Sequence, residues 1–177
     1  MKISIITATY NSEEFIISNL NSVNSQTYEN YEHIIVDNKS KDKTLEIVKK
    51  NGKRLKIISE RDDGIYDAFN KGIELASGDI ISILNSDDYY SDNKILENIV
   101  DIFKKSKVGI VYGNINYVKR YGNKKILRYW KSNKYNFNDF KIGWSPPHPA
   151  FFVKKNLYIQ YGKYKLKYGN ASDFELM

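Results

Sequence analysis

Two adjacent carboxylates, Asp87 and Asp88, follow the apolar run Ile80 to Leu84 with only Asn85 and Ser86 between. An apolar segment that stops so abruptly reads as a buried strand, and strand ends in an open α/β sheet are where ligands bind. Oxygen donors clustered there suit a hard divalent cation such as Mg2+ or Mn2+, which in turn suits a bound diphosphate. The same four residues, Asn-Ser-Asp-Asp, are also ordinary turn chemistry, so the pair alone leaves both readings open. A second candidate is Ser172-Asp173-Phe174-Glu175. It fits a capping box with Ser172 as cap and Glu175 at the third helical position, which puts Asp173 in a first helical turn. The helix dipole favours a carboxylate there, and a general base for a hydroxyl must begin ionised. The plain alternative is that Asp173 only complements the dipole.

Positioning these groups requires a scaffold, and the first hundred residues supply one. Lys2 to Thr7 is a near-continuous apolar run of the type buried on both faces of a parallel sheet, and His33 to Val36, Leu55 to Ile58 and Asp79 to Leu84 read as further strands. Between them lie helical patterns. Asn11 with Glu14 predicts a cap for a helix carrying Phe15, Ile16, Leu20 and Val23. Asp42 to Lys50 stops at Gly52, Ala68 to Ala76 stops at Gly78, and Asn93 to Lys105 follows the acidic pair. Strand and helix in alternation predict a doubly wound α/β sheet whose polar strand ends converge on one edge. Beyond residue 105 the pattern weakens: strands are expected at Val108 to Tyr112, Asn116 to Val118, Ile126 to Trp130 and Ala150 to Val153, with a hairpin turn over Lys119 to Lys124. Residues 131–144 carry no clear period and read as a loop, and Ser145 to Pro149 reads as rigid and extended.

Composition excludes several classes. With no cysteine among 177 residues there are no disulfides, thiolate metal sites or cysteine nucleophiles. No apolar run approaches the roughly 20 residues of a membrane span, and Met1-Lys2 leads straight into a strand, so a soluble, cytoplasmic chain is expected. There is no GxGxxG after the first strand and no GxxxxGK[ST] anywhere, so a phosphate group would have to be held by a metal. The net charge of +7 is unevenly spread: residues 1–103 hold 12 Lys and Arg against 18 Asp and Glu, whereas 104–168 hold 16 against one. Basic residues interleaved with tyrosines, as around Tyr112, Tyr117, Tyr129 and Tyr135, suit nucleic acid, anionic lipid headgroups or an acidic acceptor, or form a solvated face.

Taken in order, Ile5 to Asn11, Val36-Asp37-Asn38-Lys39-Ser40, Asp63 to Gly72, Ala76 to Ile81, Leu84 to Asp88 and Ala171 to Glu175 resemble the family 2 glycosyltransferases of GT-A fold, over essentially the whole chain. The resemblance implies a Rossmann-like three-layer α/β sandwich with a mostly parallel central sheet. It implies one domain over 1–177, with a nucleotide-sugar-binding half at 1–103 and an acceptor-side half at 104–177. It also implies an inverting, metal-dependent transfer from a nucleotide sugar, of UDP type, to an acceptor hydroxyl in polysaccharide or glycoconjugate assembly.

Position by position, Asp88 matches the metal-binding aspartate for Mn2+ or Mg2+, and Asp87 the neighbour near the donor ribose. Asp37 or Asn38 would contact the base, Thr9 and Tyr10 would line the nucleotide pocket, and Asp62, Lys71, Asn85 and Ser86 complete the donor side. Asp173 matches the general base, and His148 falls on the acceptor side. The first acidic position of the D-x-D pattern is Asn85 here, a neutral amide. Members usually continue past the position of Met177, so a longer chain is implied. The expected partners are a nucleotide-sugar donor, a glycan or lipid-linked acceptor and the anionic inner face of a membrane. No nucleic acid is expected, and the oligomeric state is not specified. An inactive scaffold of the same fold would retain these elements without turnover. A basic nucleic-acid module leaves the acidic strand ends unexplained, and a nucleotidyltransferase leaves Asp173 unassigned.

Overall fold

The computed structural model describes residues 1–119 and 125–177; the turn expected over Arg120 to Lys124 lies outside the described residues. The four apolar runs form β1 (Ile3–Thr9), β2 (Tyr31–Asp37), β3 (Leu55–Ser59) and β4 (Ile80–Ile83). They alternate with α1 (Ile16–Asn24), α2 (Thr44–Asn51), α3 (Ile65–Leu75) and α4 (Ile95–Lys105). After α4 come β5 (Ile110–Tyr112), β6 (Ile115–Val118), β7 (Ile126–Trp130) and the short α5 (Phe137–Phe140). A 3-10 turn at His148–Ala150 leads into β8 (Phe151–Lys154), α6 (Lys155–Tyr161) and α7 (Ser172–Leu176).

Strands β3, β2, β1 and β4 pair in parallel in that order, and β8 and then β5 continue the six-stranded sheet in antiparallel pairing. Strands β6 and β7 form a separate two-stranded ribbon. The sheet is covered on both faces, which is why β2 and β4 are buried along their whole length, and β1 at every position but Ala8, rather than alternating. One face packs Ile6, Ile34 and Ile81 against Phe69 and Ile73 of α3. The other packs Ile3, Ile5 and Ile80 against Leu96, Val100 and Phe103 of α4. Each isoleucine so buried contributes about 1.5–3 kcal/mol. Gly72 lets α3 lie directly on β1, because a Cβ there would come 2.3 Å from Cγ2 of Ile6.

Several local expectations are corrected. Asn11 does not cap α1; its backbone is left-handed, with φ of 47°, and its Oδ1 accepts from the backbone N–H of Lys41 at 2.9 Å. The turn into the helix is closed instead by the carbonyl of Ser12, which accepts from the N–H groups of Phe15 and Ile16. The capping box at Ser172 does not form: α7 begins at Ser172 itself, whose hydroxyl donates to the carbonyls of Lys165 and Gly169, while Glu175 pairs with Lys165. The 131–144 segment contains α5, capped by Asn136, whose Oδ1 accepts from the N–H of Asn138 at 3.0 Å.

Candidate active site

The C-terminal ends of β1, β2 and β3 lie level, with Thr9 beside Asp37 and Asp37 beside Ser59. Asp37 is fully buried, and its carboxylate accepts from the Ser59 hydroxyl at 2.6 Å, the Ser40 N–H at 3.1 Å and the Ser40 hydroxyl. Its bonding capacity is spent on shaping the loop after β2. Asn38, the alternative base contact, is half-buried; its N–H donates to the carbonyl of Thr9 at 2.9 Å and its Oδ1 accepts from the N–H of Asp62 at 3.2 Å. Tyr10 is exposed, whereas Thr9 is buried with no partner for its hydroxyl among the described residues. Asp62 accepts from the Gly64 N–H, and burial pushes its carboxyl upward. Lys71 is already engaged by Glu60 at 3.0 Å and Asp67 at 3.1 Å.

The acidic loop after β4 is tied to the loop after β1. The Ser12 and Ser86 hydroxyls lie 3.0 Å apart, and the Asn19 amide donates to the carbonyls of Asn85 at 2.9 Å and Asp88 at 3.2 Å. Asn19 was not singled out from the sequence. The signal was available: it is a polar residue on the buried stripe that includes Ile16, Leu20 and Val23. Asp87 is exposed and Asp88 half-buried, with Oδ2 accepting from the Asn85 amide at 3.0 Å. Burial, and then the charge of Asp87, pushes the Asp88 carboxyl up to about 6. Its anion is therefore short of compensation, and Asn85 Oδ1 is buried without a partner among the described residues. No cluster of three or more His, Asp or Glu side chains able to hold a metal exists among the described residues. A magnesium-like cation needs no such cage, since it is held by one or two carboxylates with waters and substrate phosphates completing its shell. Asp88, with Asp87 and Asn85 Oδ1 beside it, fits that description.

On the other side, β8 runs antiparallel to β4 with Ser82 opposite Phe152, so the turn preceding β8 lies where β4 ends. That register brings His148 to the same edge as Asn85 to Asp88. The His148 ring stacks on Phe69 at 5.6 Å, and its Nε2 lies 2.7 Å from the Tyr164 hydroxyl. Burial depresses its pKa to about 4, against the opposing charge of Asp173. Tyr164 is fixed to α3 by reciprocal bonds between its backbone and the Asn70 amide, at 2.8 and 3.0 Å. Tyr66 of α3 packs on Phe69 and Tyr164, and its hydroxyl donates to the carbonyl of Asn170 at 3.4 Å; desolvation, and then the Asp173 charge, pushes that hydroxyl up to about 12. Tyr66, Asn70 and Tyr164 were not assigned site roles from the sequence. Tyr66 and Asn70 could have been found as one face of α3 with Phe69, at i, i+3 and i+4.

The mostly parallel sheet and its flanking helices are shared with solved structures. Staphylococcus aureus TarS residues 1–349 superpose with a TM-score of 0.77 at 22% identity, covering 98% of this chain and 53% of that one. The Pyrobaculum calidifontis mannosyltransferase in complex with GDP-Man and Mn2+ gives 0.74 at 20% identity, covering 99% and 50%. The fold is that of the GT-A glycosyltransferases. The chain belongs to glycosyl transferase family 2, whose profile matches residues 4–160.

Among curated relatives, the Escherichia coli UDP-Glc:alpha-D-GlcNAc-diphosphoundecaprenol beta-1,3-glucosyltransferase WfgD is 35% identical over 114 residues, covering 63% of this chain and 45% of its own. The amylovoran biosynthesis glycosyltransferase AmsB of Erwinia amylovora is 33% identical over 126 residues, covering 66% and 42%. The chain thus spans less than half the length of these two relatives.

Proposed function

We propose that this chain moves a sugar from a nucleotide-sugar donor, of UDP type, to a hydroxyl of a glycan or lipid-linked acceptor, with inversion at the anomeric carbon. The observation that carries this reading is the sheet edge itself. The β4–β8 register sets the Asn85 to Asp88 loop beside His148, and His148 lies within the electrostatic reach of Asp173.

Thr9, Tyr10 and Asn38, with Asp62 behind Asn38, frame the nucleotide, and Asp87 meets the ribose. Asp88 would hold a Mn2+ or Mg2+ ion, which would supply positive charge to offset the negative charge that develops on the leaving diphosphate. Asp173 accepts the proton of the acceptor hydroxyl as its oxygen attacks the anomeric carbon. The bond from that carbon to the diphosphate oxygen breaks, and its electron pair leaves with the nucleoside diphosphate. His148, held neutral by burial, and Tyr164 form the wall against which the acceptor is oriented, so that the reactants meet aligned.

The name of WfgD supports a UDP-sugar donor and a diphosphate-linked lipid acceptor. TarS has been solved with UDP-GlcNAc. The GDP-Man complex makes GDP-mannose the control donor. The test is Asp173→Asn, assayed for donor binding and for transfer. Binding should stay within about twofold of the parent while transfer falls by about a hundredfold or more. Loss of both would make Asp173 structural and remove it from the base role.

A further inference from the structure

The β6–β7 ribbon and the segment after it have no place in the transfer chemistry, and their surface is unusual. Among the described residues the ribbon pairs with no other strand, and neither of its strands contributes a buried side chain. A lone two-stranded ribbon is marginal in water, yet this one exposes Ile126, Leu127 (66%) and Tyr129. The following segment adds Tyr135, Phe137 and Ile142, the last 83% exposed. Interleaved with them are Lys119, Lys125, Arg128, Lys131, Lys134 and Lys141, all exposed and none in an ion pair among the described residues. Arg128 lies over the Tyr117 and Trp130 rings at 5.3 and 6.0 Å, and Lys141 over Phe137 at 5.6 Å. Cations laid against aromatic rings keep their charge while covering apolar surface.

We propose that this face, β6 and β7 together with residues 131–144, lies on an anionic lipid bilayer. The charge fixes the sign of the partner, since the whole block from 104 to 168 carries one acidic residue, Asp139. The aliphatic residues decide its class. A nucleic acid offers bases to stack and phosphates to pair, which would use the tyrosines and lysines but gives Leu127 and Ile142 nothing to bury against. At the headgroup–acyl boundary, exposed aliphatic and aromatic side chains enter the apolar layer while the lysines stay with the headgroups. The face is continuous with the candidate site, because Phe140 packs on Trp144 at 5.4 Å and on Phe174 at 6.0 Å, and Phe174 adjoins Asp173. Under the proposed transfer, a lipid-borne acceptor hydroxyl would meet the base at the membrane surface. The lipid-binding face itself does not depend on that reading.

The protein has two tryptophans, Trp130 and Trp144, both in this face, so its own fluorescence reports the contact. The experiment is cosedimentation and emission of the chain with phosphatidylcholine vesicles, with or without about one-third phosphatidylglycerol. The anionic vesicles should bind the chain and shift its emission to the blue, and the neutral ones should bind at least about tenfold more weakly. Leu127→Ser with Ile142→Ser, both at exposed positions, should lower the anionic partition by about tenfold. That double variant should leave nucleotide binding unchanged, which separates this surface from the donor site. No partition onto anionic vesicles, partition indifferent to the double substitution, displacement by single-stranded RNA, or self-association abolished by the same pair would each overturn the assignment.

Discussion

Asp37 ends β2 and Asp88 lies in the loop after β4, and the two carboxylates sit in contrasting surroundings. Asp37 is fully buried and saturated by Ser40 and Ser59, so it holds a loop in shape. Replacing it by alanine strands those donors and should cost about 2 kcal/mol in urea unfolding. Asp88 accepts from a single amide and is left with charge to share, as a cation ligand must be. His33 illustrates the price of a buried titratable group. It is fully buried against the Thr7 hydroxyl at 2.9 Å, with its pKa depressed from 6.5 to about 3. Below pH 6.5 the unfolded chain binds a proton that the folded chain refuses, so stability falls as pH drops toward 3, by up to about 1.4 kcal/mol per pH unit. His148, depressed to about 4, acts in the same direction. Unfolding midpoints at pH 7 and pH 5 should show the loss, and His33→Gln should flatten it; an equal slope in both proteins would refute the assignment.

At the level of elements, the close seating of α3 on β1 is the most exposed to a single change. Gly72→Ala places a methyl 2.3 Å from Ile6 Cγ2, and the overpacking should cost about 1–3 kcal/mol. A thermal or urea midpoint equal to the parent's would show that the helix can shift at no cost. The same elements show what a sequence discloses. β1, β2 and β4 were legible because strands buried on both faces must be continuously apolar, and each acidic strand end followed from where its strand stops. The insertion of β8 between β4 and β5 was not legible, because antiparallel pairing between residues about 40 to 70 apart leaves no local periodicity. Yet that insertion is what brings His148 to the acidic loop. The Ser172 capping box failed for a related reason: its hydroxyl is drawn to the carbonyls of Lys165 and Gly169 in the preceding turn. Asn19 and Tyr66 lay in motifs or stripes that could be read, but their partners across the fold could not.

Across the whole molecule, function divides along the chain as its charge does. The acidic first hundred residues supply the four parallel strands and the loops at their ends, which face the nucleotide under the proposed function, and the basic remainder supplies β5, β8, the proposed acceptor wall and the exposed aromatic surface. No helix among the described residues is long and apolar enough to cross a membrane. In the proposed transfer, Asp88 presents a cation to the donor diphosphate. The most direct measurement is calorimetric titration of the chain with a UDP-sugar, with Mn2+ present or chelated, for the parent and for Asp88→Ala. Binding should require the metal and weaken by at least about tenfold in the variant. Binding of equal strength without metal and in Asp88→Ala, or no binding of any nucleotide sugar, would contradict it.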